Sequence, residues 1–218
     1  MDMKLVIANK DYSSWSFRPW ILMREMGIAF DEEMIPLYHP DTQARIRAYG
    51  GGRTVPLVVD GAIVVWESLA IVDYLAEMFP NKAIWPVDPA ARAHARSSAA
   101  EMHGGFQALR SRCPMNFRRA PKAVALSDDV KANVARIEQL WADARQRFGA
   151  GGPFLYGKFS AADAMYAPVV HRFQAYAVPV SASTRAYMDT IMGLPSWGEW
   201  ASAAAAEPWH HAPYDEVS

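Results

Sequence analysis

TVPLVVDGAIVVWES, residues 54–68, contains two β-branched runs separated by Asp60-Gly61. An Asp-Gly pair between such runs is a strong signal for a tight β-hairpin. Pro56 lacks an N–H and is unfavourable inside a central strand, so it marks the opening of the first run. A proline at the opening of a strand beside a ligand cleft is also a position where a cis X–Pro bond can be used. The stretch therefore predicts a β-hairpin that leads directly into a helix beginning near Glu67.

Strand and helix patterns alternate on both sides of this hairpin, over residues 4–80. Short apolar runs indicate buried strands, and apolar residues at helical spacing indicate helices. The predicted elements, in order, are a buried strand at 4–9, a helix at 16–26 that ends at Gly27, a partly exposed edge strand at 29–37, the hairpin, and a helix from about Glu67 to Phe79. The order is β-α-β followed by β-β-α, which is that of an α/β domain.

The second half of the sequence has a different pattern, with no strand signal after residue 80. Closely spaced prolines predict a stiff linker at 81–88, and alanine-rich segments with helical spacing follow it. We therefore predict a first, α/β domain in residues 1–80 and an all-helical domain in residues 89–218.

Two helices of the second half carry capping signals. The segment 127–149 has Ser127 as N-cap, acidic residues in its first turn and Gly149 as its stop. Ser160, with Asp163 three residues later, forms an aspartate variant of the capping box. Both segments are therefore predicted to begin as well-defined helices.

Composition and charge exclude several classes of protein. Hydrophobic residues make up 51% and charged residues 21% of the chain, as in an ordinary globular protein. A formal net charge of −1 gives no electrostatic reason to expect a nucleic acid or a membrane surface as partner. No apolar stretch approaches the ~20 residues of a membrane span. Cys113 is alone, which excludes an intrachain disulfide and favours a cytoplasmic location. His210 and His211 have no paired ligand set, so no metal is expected.

The stretch YSSWSFRPW, residues 12–20, places adjacent serines at the mouth of the first predicted helix. Ser13 and Ser14 could cap the helix, which is the ordinary role of serine at that position. They could also hold an anion, because a hydroxyl donor at the positive end of a helix dipole favours negative charge. The residues alone leave both interpretations open, and capping is the simpler one.

Four motifs, in this order and spacing, resemble the soluble, cytosolic glutathione transferases of serine type found in bacteria. They are YSSWSFRP (12–19), TVPLVVDGAIVVWES (54–68), ESLAIVDYLAE (67–77) and FSAADAMYAPVV (159–170). The resemblance covers nearly the whole chain and implies a thioredoxin-like first domain, an all-helical second domain and a cytoplasmic homodimer. It also implies a transferase, of the kind that serves in detoxification, which joins glutathione as co-substrate to a small hydrophobic electrophile without a metal.

The resemblance also assigns residues to the glutathione site. Ser13 stands five residues before Arg18, where serine-type members carry the residue that faces the glutathione sulfur, and Ser14 is the alternative. A thiol titrates near ~8.5, so a hydroxyl donor aimed at the sulfur favours the thiolate and lowers its pKa. The residues that the resemblance places around glutathione are Ser13, Trp15, Arg53, Thr54, Val55, Pro56, Glu67 and Ser68, with Ser13 and Ser14 as the catalytic candidates.

Each part of glutathione has its own expected contacts within this set. The backbone of Val55 would pair with the cysteinyl part like an added strand, and Pro56 resembles the cis-proline of the family. Ser68 at the helix start would bind the γ-glutamyl carboxylate, and Glu67 would pair with the ammonium group. On the helical side, the resemblance places the second-substrate pocket at Met102, His103 and Phe106.

Two departures from the family pattern leave other functions open. Thr54 stands where members often carry a lysine or glutamine for the glycyl carboxylate of glutathione, and Arg53 is the alternative for that role. SSWS resembles the SSCS motif of the zeta class, with Trp15 in place of the cysteine. The alternatives are a glutathione-fold binding or scaffold protein without turnover, and a zeta-like glutathione-dependent isomerase.

Overall fold

A four-stranded mixed sheet forms the first half of the chain in the computed structural model, which describes residues 3–217. The strands are β1 (Met3–Ile7), β2 (Asp31–Met34), β3 (Leu57–Asp60) and β4 (Ile63–Trp66). Their order across the sheet is β2-β1-β3-β4, with β1 parallel to β2 and antiparallel to β3. β3 and β4 form the predicted antiparallel hairpin, which turns at Gly61 with φ 58°. The sheet confirms the predicted thioredoxin-like α/β arrangement.

Three α-helices belong to this half: α1 (Ser14–Glu25), α2 (Thr42–Arg47) and α3 (Ser68–Met78). A short 3₁₀ turn at Pro80–Lys82 follows α3. The predicted first helix begins two residues earlier than its apolar pattern indicated, because Ser13 caps it. The short helix α2 was not predicted. The core face of α3 is centred on Ile71, Val72 and Leu75, while Leu69 and Phe79 are only half-buried.

The second half of the described chain is helical apart from two isolated β-bridges in residues 154–158. Its helices are α4 (Pro89–Gly104), α5 (Gln107–Arg112), α6 (Asp128–Phe148), α7 (Ala161–Ala175), α8 (Ala182–Met192), α9 (Pro195–Ala205) and α10 (Ala212–Asp215). Both predicted capping signals are confirmed, since Ser127 accepts from the Val130 N–H and Ser160 and Asp163 form the capping box. The exact division into domains at 80 and 89 stays a prediction.

Helix α7 is the centre of the molecule and determines where the site lies. Every residue of α7 except Gln174 is buried, as expected for a helix surrounded by other elements. It packs against α4 in its own half and against α1 in the first half. This contact brings Arg172, near the end of α7, beside Ser14 at the start of α1.

Candidate functional site

Two adjoining cavities lie between the first half of the chain and the helices. The larger is a cleft of about 610 Å³ between the start of α1, the loops that precede α2 and β3, helix α5, and the C-terminal segment. The smaller has about 220 Å³ and is lined by Trp15, Thr54, Val55, Pro56, Glu67 and Ser68. Trp15, Thr54 and Val55 line both cavities, so the two lie side by side.

The smaller cavity contains a buried hydroxyl without a partner. Ser68 is the first residue of α3, is 1% exposed, and its Oγ has no hydrogen-bond partner among the described residues. Glu67 precedes it with φ 68°, a backbone region that is strained for a residue with a side chain. The Val55–Pro56 peptide bond on the opposite side is cis. A free hydroxyl at a helix N-terminus is suited to bind a carboxylate.

The two candidate serines have different environments at the start of α1. Ser13 caps the helix: its Oγ accepts from the Ser16 N–H at 3.4 Å and donates to the Ser16 Oγ at 2.8 Å. Ser14 Oγ instead accepts from Nη2 of Arg172 at 3.2 Å. No acceptor for the Ser14 hydroxyl proton is found within residues 3–217, so this proton is free to point at a ligand. Both serines line the larger cleft.

Arginines surround Trp15 behind these serines. The guanidinium carbons of Arg18 and Arg110 lie 4.0 and 4.7 Å from the centre of the Trp15 ring. Arg172 is held by the Cys113 carbonyl, at 2.9 Å, as well as by Ser14. Burial and, secondarily, the charge of Arg110 lower the pKa of Arg172 to about 10, so it stays protonated at neutral pH. Burial also lowers the pKa of Arg18.

The C-terminal segment closes one side of the cleft, a feature that sequence reasoning missed. The Tyr12 hydroxyl donates to the Asp215 carboxylate at 2.9 Å and accepts from Arg118 at 2.7 Å. Tyr214 lines the cleft, and the ring of His211 stacks on that of Tyr38 at 3.8 Å. Tyr12 belongs to the YSSW motif, but nothing in that motif indicates a partner about two hundred residues away.

The residues predicted to wall a second-substrate pocket lie behind the cleft. Met102 is fully buried and Phe106 is 8% exposed, and both belong to the hydrophobic core. His103 Nε2 lies 3.5 Å from the Glu67 carboxylate, and its ring lies 5.1 Å from that of Trp15. Burial lowers the pKa of His103, although the Glu67 charge opposes this. The side chains that line the cleft on this side are Gln107, Arg110 and Ser111, on the next helix.

Within residues 3–217, no group of three or more His, Cys, Asp or Glu side chains could hold a metal ion. In the same residues, none of the helices has the length and hydropathy needed to cross a membrane.

A thioredoxin-like sheet followed by a helical half is the architecture of the glutathione transferase fold. Residues 12–78 match the family model for the glutathione S-transferase N-terminal domain, and residues 117–203 match that for the C-terminal domain. The chain belongs to the glutathione S-transferase family.

The proteins to which this chain is similar have names that state different functions. The chain is 32% identical over 109 residues to a probable maleylacetoacetate isomerase of Caenorhabditis elegans, a match that spans 50% of each chain. It is 26% identical over 176 residues to a stringent starvation protein A homolog of Pasteurella multocida (strain Pm70), which covers 78% of this chain and 77% of that one. A glutathione transferase homolog from Burkholderia gl BGR1, solved with bound glutathione, has the same fold, with a TM-score of 0.69 and 21% identity over 95% of this chain and 100% of that one.

Proposed function

We propose that this protein binds glutathione across the two cavities and presents its sulfur, as a thiolate, to a small electrophile. The observation that carries the proposal is the buried hydroxyl of Ser68 at the start of α3, which has no partner within residues 3–217 and lines a cavity that adjoins the cleft of Ser14. A buried hydroxyl without a partner costs free energy unless a ligand supplies that partner. The γ-glutamyl carboxylate of glutathione would supply it.

The remaining contacts follow from the lining of the two cavities. The backbone of Val55 is suited to pair with the cysteinyl part of the tripeptide, and Glu67 with its ammonium group. Arg53 and Thr54 both line the larger cleft, where either can reach the glycyl carboxylate. The sulfur would then lie at the start of α1, beside the serines.

Ser14, backed by Arg172, has the geometry for activating the thiol. Its hydroxyl accepts from a buried guanidinium, which makes the hydroxyl proton a stronger donor to a negatively charged sulfur. The positive end of the α1 dipole acts in the same direction. The Ser13 hydroxyl already donates its hydrogen bond to the Ser16 Oγ. The geometry therefore favours Ser14, one position after the serine that the motif favours.

Binding and turnover can be separated experimentally. Calorimetric titration with glutathione, followed by a pH titration of thiolate absorbance in the complex, should show binding and a thiol pKa below that of free glutathione. Absence of binding would contradict the proposed function. Binding without a lowered thiol pKa would support the alternative of a binding or scaffold protein.

Isomerisation is the second candidate reaction, and the name of the nematode relative favours it. The same thiolate would add to the substrate and leave again, so glutathione would be regenerated. Conjugation consumes one glutathione per turnover. Following free thiol during turnover therefore distinguishes the two reactions. A cytoplasmic location and a role in detoxification are part of the proposal for the conjugating enzyme.

Ser68→Ala is expected to weaken glutathione binding by about tenfold or more, the scale of a hydrogen bond to a charged group. Ser196→Ala is the matched control, because Ser196 Oγ is also buried without a partner but lies at the start of α9, outside both cavities. Calorimetric titration of both variants measures the effect. Equal affinities in the Ser68→Ala variant and the wild type would remove Ser68 from the site.

We expect a homodimer in solution, in which the first domain of one subunit lies against the helical domain of the other. Ile63 and Trp66 on the edge strand β4 and Met78 on α3 are 51%, 46% and 42% exposed, and a second copy would cover exposed apolar side chains of this kind. Light scattering should give twice the chain mass. Ile63→Asp should shift the protein toward monomer, whereas Val87→Asp, at an exposed position in the linker, should not. A wild-type monomer at micromolar concentration would contradict this expectation.

A further inference from the structure

The described residues that line the larger cleft carry a net positive charge. Its lining includes Arg53, Arg110 and Arg172 and, among the described residues, no aspartate or glutamate. Within residues 3–217, none of these three arginines forms a salt bridge. Arg18, which packs against the Trp15 ring together with Arg110, forms no salt bridge there either. Arg18 is fully buried and its Nη2 atom has no hydrogen-bond partner within residues 3–217. Buried arginines are normally paired, and a bound anion would balance the positive charge of Arg18 and Arg172, the two buried members of this group.

Glutathione accounts for only part of this charge. The thiolate proposed at Ser14 would balance the positive charge of Arg172, to which Ser14 is hydrogen-bonded. Arg53 lies beside Thr54, where the glycyl carboxylate is expected. Arg110 lies on the opposite, helical side, and within residues 3–217 it forms no salt bridge.

The surroundings of Arg110 leave most of its donors available. The side chain is half-buried, and its polar contact is a hydrogen bond from Nη1 to the Gly105 carbonyl at 3.3 Å. A guanidinium has five N–H donors in a planar fork, which suits a carboxylate. Gln107 and Ser111 lie on the same face of α5, line the same cleft, and are joined by a hydrogen bond of 2.9 Å from Nε2 of Gln107.

We propose that Arg110, with Gln107 and Ser111, binds a carboxylate carried by the second substrate. The electrophile is then an anionic molecule whose carboxylate reaches α5 while its reactive carbon lies at the sulfur. The apolar side chains of the cleft, such as Met115 and Tyr214, cover the body of such a molecule. This inference rests on the proposed glutathione function and makes its substrate class specific.

Two carboxylates could be the one that Arg110 binds, because glutathione itself has a glycyl carboxylate. The two sources are separable with γ-glutamylcysteine, which lacks the glycyl residue and whose C-terminal carboxylate therefore lies on the cysteine, one residue nearer the sulfur. If Arg110 bound the glycyl carboxylate, replacing Arg110 would weaken the binding of glutathione and leave the binding of γ-glutamylcysteine unchanged. If Arg110 binds the second substrate, replacing Arg110 leaves the affinities for glutathione and for γ-glutamylcysteine unchanged.

The experiment uses product analogues that differ only in charge. Glutathione S-alkylated with a carboxyalkyl group of one to three methylenes is compared, by calorimetric titration, with the corresponding primary amides. The proteins are the wild type, Arg110→Gln, Arg110→Lys and Arg112→Gln. Arg112 is the control for net charge, since it lies on the same helix and does not line the cleft. Thermal unfolding confirms that each variant is folded.

The expected result is that the wild type binds a carboxylate analogue about tenfold more tightly than its amide at one chain length, the scale of a hydrogen bond to a charged group. Arg110→Gln should lose this preference, Arg110→Lys should keep part of it, and Arg112→Gln should keep all of it. No preference at any chain length, or one that survives in Arg110→Gln, overturns the proposal. Weaker binding of glutathione but not of γ-glutamylcysteine in Arg110→Gln also overturns it. If glutathione itself does not bind the wild type, the proposed function fails and the carboxylate site fails with it.

Discussion

Ser14→Ala is expected to raise the thiol pKa of bound glutathione by about one unit or more and to lower turnover near pH 7 by about tenfold. The hydroxyl would be lost as a donor to the thiolate, and its contribution is that of a hydrogen bond to a charged group. Because the thiolate is the reactive form, turnover rises with pH through the thiol pKa. A raised pKa therefore moves the rising limb of the pH profile upward, and activity should recover at alkaline pH. Thiolate absorbance and the pH dependence of kcat/KM measure both effects.

Arg172 should act through Ser14, as a positioning residue. Arg172→Lys keeps a positive charge beside the Ser14 hydroxyl and should raise the thiol pKa less than Arg172→Met, which removes the charge. Arg172 is buried and also donates to the Cys113 carbonyl, so both variants are expected to lose stability. The order of thiol pKa values, wild type below Lys below Met, is the result that a merely structural role would not produce.

Ser13→Ala is the matched control on the neighbouring residue. Ser13 caps α1, so its loss should cost about 0.5–2 kcal/mol of stability and change the thiol pKa little. If Ser13→Ala carries the pKa effect and Ser14→Ala does not, the serine favoured by the motif is the active one. If neither variant changes the thiol pKa, the serines are only helix caps and the proposed activation is wrong.

The architecture could be predicted because its signals are local. The Asp60-Gly61 hairpin, the capping box of Ser160 and Asp163, and the apolar spacing of α6 each lie within a short stretch of sequence. The helix α2 was missed because its six residues have only two buried positions, Thr42 and Ile46, which is too few for a periodic pattern. Glycines in the loop before β3 have a packing reason: a Cβ on Gly52 would lie 2.8 Å from the Trp66 ring.

The site could be predicted where the motif itself forms it, and not where distant segments meet. Val55, Glu67 and Ser68, which the resemblance assigns to glutathione, line the same smaller cavity, and their role in binding stays a prediction. The contact of Arg172 with Ser14 joins residues 158 positions apart and depends on how α7 packs against α1. The resemblance places the second-substrate pocket at Met102, His103 and Phe106, which stays a prediction, and the α5 residues that line the cleft are Gln107, Arg110 and Ser111. Phe106, with φ 58°, follows Gly104 and Gly105 and separates the two helices.

The position of α7 depends in turn on one buried carboxylate. Asp163 accepts hydrogen bonds from the Leu155 N–H, the Ser160 N–H, the Ser160 hydroxyl and the Tyr187 hydroxyl, at 3.1, 2.9, 3.0 and 3.0 Å. Asp163→Ala would leave all of these buried donors without an acceptor. An unsatisfied buried donor costs about 1–3 kcal/mol, so we expect the free energy of unfolding at pH 7 to fall by about 4 kcal/mol or more. Denaturant unfolding measures this.

Asp163→Asn is the variant that tests the charge of this group. Burial outweighs the hydrogen bonds and raises the pKa of Asp163 to about 6, above its unfolded value of about 3.9. Between these pH values the folded state holds a proton that the unfolded state has released. Asp163 therefore stabilises the fold fully below pH ~3.9, and this contribution is lost as the pH rises through 6.

The free energy of unfolding of the wild type minus that of Asp163→Asn should therefore increase by about 2–3 kcal/mol from pH 7 to pH 4. His171 has the opposite effect on stability, because burial lowers its pKa to about 3 in the folded protein. As the pH falls, the unfolded chain therefore binds a proton at His171 before the folded protein does. Both proteins contain His171, so the difference between them isolates Asp163. A difference that stays constant over this range would mean that the carboxylate is ionised in the folded protein throughout. The four donors would then outweigh burial, and α7 would be anchored by a charge instead of by a proton-sensitive acid.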